Sequence, residues 1–294
     1  MLRIHAGPRH LRPTYDDSER LPYRRIAPAP LSPTVGAEIG GVSLAEAIDD
    51  ETFAEIHRAL LEHKVIFFRD QDLTPEQHVA FARRFGGLET HPFVPHRDGH
   101  PEVMVLKKND RMGGYENVWH SDVTWRLAPS LGSVLLAREV PAVGGDTLFC
   151  DMYAAYEGLD DELRNSLDGL RAVHDFTHTF GRFMSAEELK QKQQEFPPAE
   201  HPVVRTHPET GRKGLYVNAV FTSHIVGLTR EASDQLLDVL CRQACVPEYQ
   251  CRFRWRQHSV ALWDNRAVQH YAASDYYPQR RLMERVTICG DVPH

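Results

Sequence analysis

No stretch of this sequence is apolar for the roughly 18 residues that a membrane-crossing helix needs; runs such as Val65–Phe68 fall far short of it. A sustained basic run is missing as well. The 34 Lys and Arg are scattered among 41 Asp and Glu, for a formal net charge of -7, and that balance offers no electrostatic footprint for nucleic acid. The N-terminal "MLRIHAGPRHLRPTYDDSER" carries arginines and prolines but lacks the apolar core of a secretory signal. Cysteine is sparse. Cys150, Cys241, Cys245, Cys251 and Cys289 are an odd number, which argues against a disulfide framework. Cys241, Cys245 and Cys251 lie close in sequence, yet no CxxC pair and no nearby fourth ligand accompany them, so they read as ordinary thiols. Neither a fixed-period repeat nor a low-complexity linker divides the chain. The expectation is a soluble, cytoplasmic protein that binds neither nucleic acid nor membrane.

What is present suffices for a substantial core, since 294 residues with 41% hydrophobic content can fill one large domain. Residues 1–24 are polar and without hydrophobic period, and are expected to form a flexible N-terminal extension to a single domain over 25–294. "ETFAEIHRALLEH" spaces Phe53, Ile56, Leu60 and Leu61 as a helix does, "KVIFFR" reads as a buried strand, and "TPEQHVAFARRFG" opens with Thr74 as N-cap and Pro75 at N1. Beyond it lie short β-like runs, among them "EVMVL", "SVLLAREV", "DTLFC", "LRAVHDF", "HPVVRTH", "GLYVN", "CRFRWR", "SVALWD" and "LMERVTIC", between Gly, Pro, Asn and Asp turns. Helical inserts are expected at about 151–168, 185–196 and 229–242. Many short strands flanked by a few helices predict a mainly β, α+β chain built as a double-sheet barrel such as a jelly roll.

The segment "NVWHSDVTW" places His120 and Asp122 two apart, where an extended strand would aim an imidazole and a carboxylate at one ion. The spacing alone is not specific. The chain holds 17 histidines, and His96/Asp98, His100/Glu102 and His207/Glu209 repeat the pattern. "HRDGHPE" and "THPETG" surround theirs with turn residues, and His207–Gly211 looks like a hairpin loop whose carboxylate serves the turn. His96-Arg97-Asp98 spells a fragment of a kinase catalytic loop, but the other parts of that machinery are missing. Near the C-terminal end, "ALWDNRAVQHYAASDYYPQRRLMERVTICGD" contributes His270, and in its last strand Arg281 and Arg285, four apart, face the same way. Two guanidinium groups buried side by side require anions to meet them.

His120-x-Asp122, the distal His270 and an arginine eleven residues later resemble the iron- and 2-oxoglutarate-dependent dioxygenases, and within these the taurine dioxygenase family. "LSPTVGAEIGGVSL", "NVWHSDVTW", "VGGDTLF", "HPVVRTHPETG" and "WDNRAVQHYA" carry the resemblance from about residue 25 to the end. It implies a double-stranded β-helix with His120, Asp122 and His270 as iron ligands. Two imidazoles and a carboxylate on one octahedral face leave three positions open, two for 2-oxoglutarate and one for O2. The resemblance also assigns the remote carboxylate of 2-oxoglutarate to Arg281 and Thr147, and the substrate anion to Arg285 and His91, with Phe180 and Phe221 walling the pocket. The reaction it implies hydroxylates the carbon beside the sulfonate of taurine or a related sulfonate, releasing sulfite and an aldehyde with succinate and CO2, in the service of sulfur metabolism.

Two positions depart from the family pattern. Val94 stands where a tyrosine is expected beside the substrate, and Glu116 where an asparagine is expected, with Asn117 next to it. Losing the phenol enlarges the cavity and admits a longer sulfonate or an alkyl sulfate; Glu116 in the pocket would favour an ammonium group instead. The alternatives are therefore an alkylsulfatase-type dioxygenase, another family member acting on a different small anion, and, more remotely, a non-catalytic metal- or anion-binding β-barrel. A homo-oligomer is expected from the resemblance alone.

Overall fold

The computed structural model describes residue 11 and residues 21–108 and 116–294. Most of the expected N-terminal extension, residues 1–10 and 12–20, lies outside them. In chain order the elements are β1 (Ala27–Pro30), β2 (Ala37–Gly40), α1 (Asp50–His63), β3 (Val65–Phe68), α2 (Pro75–Arg83), β4 (Leu88–Glu89), β5 (His96–Arg97), β6 (His100–Lys108), β7 (Gly132–Glu139), β8 (Thr147–Asp151), α3 (Met152–Glu157), α4 (Asp161–Ser166), β9 (Arg171–His174), α5 (Ala186–Glu195), β10 (Ala199–Pro202), β11 (Val204–Thr206), β12 (Lys213–Leu215), β13 (Thr222–Ile225), α6 (Arg230–Arg242), β14 (Gln250–Phe253), β15 (Val260–Asp264), β16 (Val268–Ala272) and β17 (Arg281–Ile288).

The larger sheet runs β1-β2-β3-β15-β7-β17-β6-β5, with β4 beside β17; the smaller runs β14-β8-β16. Their facing sides make the jelly roll. Strand alternation decides which residues go where. From the larger sheet Val65, Phe67, Leu135, Ala137, Ala261, Trp263 and Met283 meet Phe149, Phe253 and Val268 of the smaller one. Phe67 stacks on Phe253 at 3.9 Å between ring centroids. The intervening residues Ile66, Phe68, Val134, Leu136, Val260, Leu262, Val286 and Ile288 form the opposite face, which α1 and α2 cover through Ile56, Leu60, Phe81 and Ala82. The same parity sends Arg281, Met283 and Arg285 of β17 inward.

The helices are capped as their sequences dictate. Asp49 accepts from Thr52 N at the start of α1, and Thr74 and Gln77 form a reciprocal capping box on α2, whose first residue is Pro75. Thr229 caps α6.

Several expectations are corrected. The insert at 151–168 is two helices, because the chain leaves α3 at Gly158 and restarts on the Asp160 cap of α4. "HPVVRTH" splits into β10 and β11, and "GLYVN" is strand only through Leu215. β1, spelled APAP, was invisible to strand patterning, since prolines cannot donate to a ladder; its place at the sheet edge makes them tolerable. "NVWHSDVTW" is not a strand either: His120 makes a single bridge to His270, and Asp122–Trp125 turn away from it.

Burial of neutral histidines gives the fold an acid sensitivity. His78 is completely buried with Nε2 donating to Val134 O at 2.9 Å, and burial lowers its pKa to about 4. Burial depresses His174 and His201 in the same direction. Between pH 6.5 and 4 the unfolded chain binds a proton at His78 that the folded chain refuses, so this contribution is fully present above pH 6.5 and erodes as pH falls. At roughly 1.4 kcal/mol per pH unit, His78 alone removes about 3 kcal/mol by pH 4. Urea midpoints measured across this window should fall with pH, and His78→Gln, which keeps an N–H for Val134 but cannot titrate, should flatten the slope. An unchanged slope would contradict the assignment.

Candidate active site

The 116–126 segment meets β16 through His120 and His270 and β17 through Asp122 and Arg285. His120 and His270 exchange backbone hydrogen bonds, N to O at 3.1 Å and 2.8 Å, which brings their rings to 4.2 Å between centroids. His120 Nδ1–H donates to Val118 O at 2.8 Å, fixing the tautomer whose Nε2 carries a free lone pair. Asp122 Oδ1 lies 3.9 Å from Nε2 of each histidine. Ligand atoms of His120, Asp122 and His270 all lie within 4.8 Å of one another, the one such group of His, Cys, Asp or Glu among the described residues. The cysteines are free, and none joins such a cluster.

The turn after Asp122 aims its carboxylate. Val123 adopts φ +48°, left-handed backbone that a β-branched residue rarely enters, a strain of order 1–3 kcal/mol that neighbouring contacts must hold. Asn265 supplies two of them: its Oδ1 accepts from Asp122 N at 2.7 Å and its Nδ2 donates to Asp122 O at 2.9 Å. Ser121 Oγ donates to Val268 O, and Thr124 is held by His174 and Asn218. The sequence showed Asn265 only as a turn residue between β15 and β16, so its clamp was not foreseen. Asn265→Ala is expected to lower Fe(II) affinity about 10- to 100-fold, as loss of ligand support commonly does, measured by metal titration; unchanged affinity would refute the clamp.

Charge is concentrated here. Burial alone would raise the Asp122 pKa, but Arg285 and the two imidazoles overcome it and hold the carboxyl well below the usual carboxylate range. Arg285 Nη1 donates to both carboxylate oxygens at 3.0 Å. Burial, reinforced by His120 and Arg285, lowers His270 to about 3 against the pull of Asp122. His91 is lowered to about 3 by burial and then by Arg285 and Arg126. Its Nδ1 accepts from Phe93 N at 3.1 Å, which leaves Nε2–H as the free donor.

Phe180 and Phe221 stack 6.5 Å apart; the first touches His91 at 5.7 Å and the second His120 at 6.4 Å. Phe93, which sequence reasoning passed over, joins them, 5.0 Å from Phe180. Val94 is half-buried and Asn117 exposed. Glu116 lies 2.6 Å from Lys108 Nζ, the residue opposite Arg281 in the β6–β17 ladder. Arg281 is 8% exposed, with Nε buried and without a hydrogen-bond partner among the described residues. Thr147, 3% exposed, opens β8. Of the other histidine–acid pairs, His96–His100 form a surface hairpin, while His207 is buried. His207–Gly211 is the expected turn, but its imidazole serves it: Nδ1 accepts from Glu209 N and Thr210 N, and Nε2 meets Asp264. The Glu209 carboxylate goes to Arg266 instead.

The family model described as "Taurine catabolism dioxygenase TauD, TfdA family" matches residues 28–287. The chain belongs to this family. It is 37% identical to an alkylsulfatase of Acinetobacter baylyi, covering 92% of this chain and 87% of that one. An alpha-ketoglutarate-dependent sulfate ester dioxygenase of Pseudomonas putida is 38% identical, over 90% and 89% of the two chains. A crystal structure of a taurine dioxygenase from Burkholderia xenovorans superposes with a TM-score of 0.80 at 42% identity, covering 92% and 93%. The protein is thus a 2-oxoglutarate-dependent dioxygenase that uses Fe(II), 2-oxoglutarate and O2. Its residues fit these groups: a two-imidazole, one-carboxylate donor set suits Fe(II), and a buried arginine whose Nε has no partner among the described residues suits a carboxylate.

Proposed function

We propose that this dioxygenase oxidises the carbon bearing a sulfate ester or sulfonate group, and that it prefers an apolar chain on that carbon to the aminoethyl chain of taurine. The observation that carries the reading is the pairing of anion donors with an aromatic wall beside one metal-binding triad: Arg285 bonds Asp122, His91 has a free Nε2–H, and Phe180 and Phe221 lean on His91 and His120. Both relatives named for sulfate esters support it.

In this reading His120, Asp122 and His270 hold Fe(II), and Arg281 with Thr147 holds the remote carboxylate of 2-oxoglutarate. Iron and cosubstrate supply the oxidising power, O2 giving one oxygen to succinate as CO2 leaves and the other to a substrate C–H bond. The protein's own part is placement. Arg285 and His91 donate charge-assisted hydrogen bonds to the sulfo oxygens, which fixes the adjoining carbon over the triad. The phenylalanines exclude water and accept the chain. The hydroxylated carbon then expels sulfate, or sulfite from a sulfonate, as its O–H proton leaves and a C=O bond forms to give the aldehyde. Val94 is apolar, and Lys108 offsets the Glu116 charge, which removes the reason to expect an ammonium group in the pocket.

The test is turnover with Fe(II), 2-oxoglutarate and ascorbate in air. Hexyl sulfate should release sulfate equimolar with succinate, with kcat/KM about tenfold or more above that for taurine, since apolar contacts of one or two methylenes give that much. Val94→Tyr should move the ratio toward taurine. A kcat/KM for taurine equal to or above that for hexyl sulfate would overturn the preference.

A further inference from the structure

Trp255 follows β14 and is 5% exposed, its ring edge-on to Phe253 at 5.0 Å and 86°. Its indole Nε1–H donates to Thr147 Oγ1 at 2.9 Å. An indole can only donate, whereas a hydroxyl offers two lone pairs and one proton. The indole therefore occupies a lone pair of Thr147 and leaves the hydroxyl proton for another acceptor, and no described residue takes it. The same ring flanks Arg281, whose Cζ sits 5.9 Å from the Trp255 centroid and 5.9 Å from that of Tyr276. Gly145 completes the box. At its φ of +70°, an added Cβ would come within 3.2 Å of Tyr276, 3.3 Å of Pro141 and 3.4 Å of Arg281 Cδ, so only glycine lets the turn close over the arginine stem.

We propose that Trp255 is a positioning residue for 2-oxoglutarate, acting through Thr147: its N–H orients the threonine hydroxyl as a donor, so that Thr147 and Arg281 present their protons to one carboxylate before it arrives. The inference rests on the assignment of Arg281 and Thr147 to the cosubstrate. Preorganised donors bind more tightly than donors that must first reorient, and the effect falls on cosubstrate affinity rather than on the chemical step.

The experiment is calorimetric titration of 2-oxoglutarate into the anaerobic Fe(II) protein for the wild type, Trp255→Phe, Thr147→Val and the double variant. Phenylalanine keeps an aromatic ring in the box and removes only the donor. Trp255→Phe should raise Kd about fivefold, the weakening expected of one neutral hydrogen bond, and should add less than about twofold in the Thr147→Val background. In steady state KM for 2-oxoglutarate should rise with kcat little changed. Independently of how that variant folds, the Trp255 indole N–H of otherwise intact protein should lose protection from hydrogen exchange in Thr147→Val. A Kd within twofold of wild type, the same weakening in both backgrounds, or unchanged indole protection would overturn the inference. If Thr147→Val and Arg281→Gln themselves leave Kd unchanged, it is the cosubstrate assignment that fails.

Discussion

Asp122→Asn is expected to bind Fe(II) at least about 100-fold more weakly than the wild type and to lose turnover with it, since changes in groups that merely support a ligand already cost 10- to 100-fold. An amide presents a neutral oxygen where the triad offers an anionic one, and it forfeits the charge that two neutral imidazoles cannot supply. The substitution has a second effect. Arg285 Nη1 donates to both oxygens of this carboxylate at 3.0 Å, and breaking a buried pair by removing one partner costs about 3–5 kcal/mol because the other charge is left uncompensated. The single variant should therefore melt at a lower temperature. Asp122→Asn combined with Arg285→Met separates the two effects: the melting temperature should recover while iron binding does not. Recovery of iron binding in the double variant, or its retention in the single one, would mean that Asp122 orders the arginine without holding the metal.

Arg281→Gln should act in the opposite sense on stability. In the ligand-free fold its guanidinium is buried, burial lowers its pKa, and its Nε has no partner among the described residues. Glu116 and Asp146 offset part of that charge from a distance, but neither bonds Nε, and an anion that does so lowers the remaining cost of burial. Replacing it should leave the melting temperature of the protein without cosubstrate at or above that of the wild type, while KM for 2-oxoglutarate rises about 30-fold or more, the loss expected when one partner of a buried charged pair is deleted. Added 2-oxoglutarate should raise the melting temperature of the wild type and not of the variant. A variant that is destabilised and still binds 2-oxoglutarate normally would make Arg281 a structural residue.

The shared inward direction of the two arginines follows from strand parity, and that part was legible in the sequence; the opposite signs come from Asp122, which of the two pairs with Arg285 alone. Arg281 and Arg285 are four apart in a β-strand, so both must face inward with Met283 between them. Capped, periodic segments were equally readable, as with Thr74 and Pro75 at the head of α2 or the Asp49-initiated α1. The candidate metal triad was not legible from spacing, because three other histidine–acid pairs share it and His120–Asp122 does not sit in a strand. Family resemblance singled it out, and the strand argument for its geometry was wrong: a left-handed Val123, held by the Asn265 clamp, aims the carboxylate. Asn265 and Trp255 act through partners 143 and 108 positions away. No local pattern records contacts of that range. β1 escaped for the converse reason, since its prolines contradict strand propensity and are allowed because no described strand pairs outside this sheet edge.

The most direct measurement is an anaerobic titration of the protein with Fe(II), followed by addition of 2-oxoglutarate, read by metal content and visible absorption. One iron per chain should bind, and a visible band should appear on adding 2-oxoglutarate to the Fe(II) protein, not to the Zn(II) protein, and vanish in His120→Ala, Asp122→Asn and His270→Ala. A band of undiminished intensity in any of those three folded variants, or no band in the wild type, would contradict a ferrous centre held by His120, Asp122 and His270.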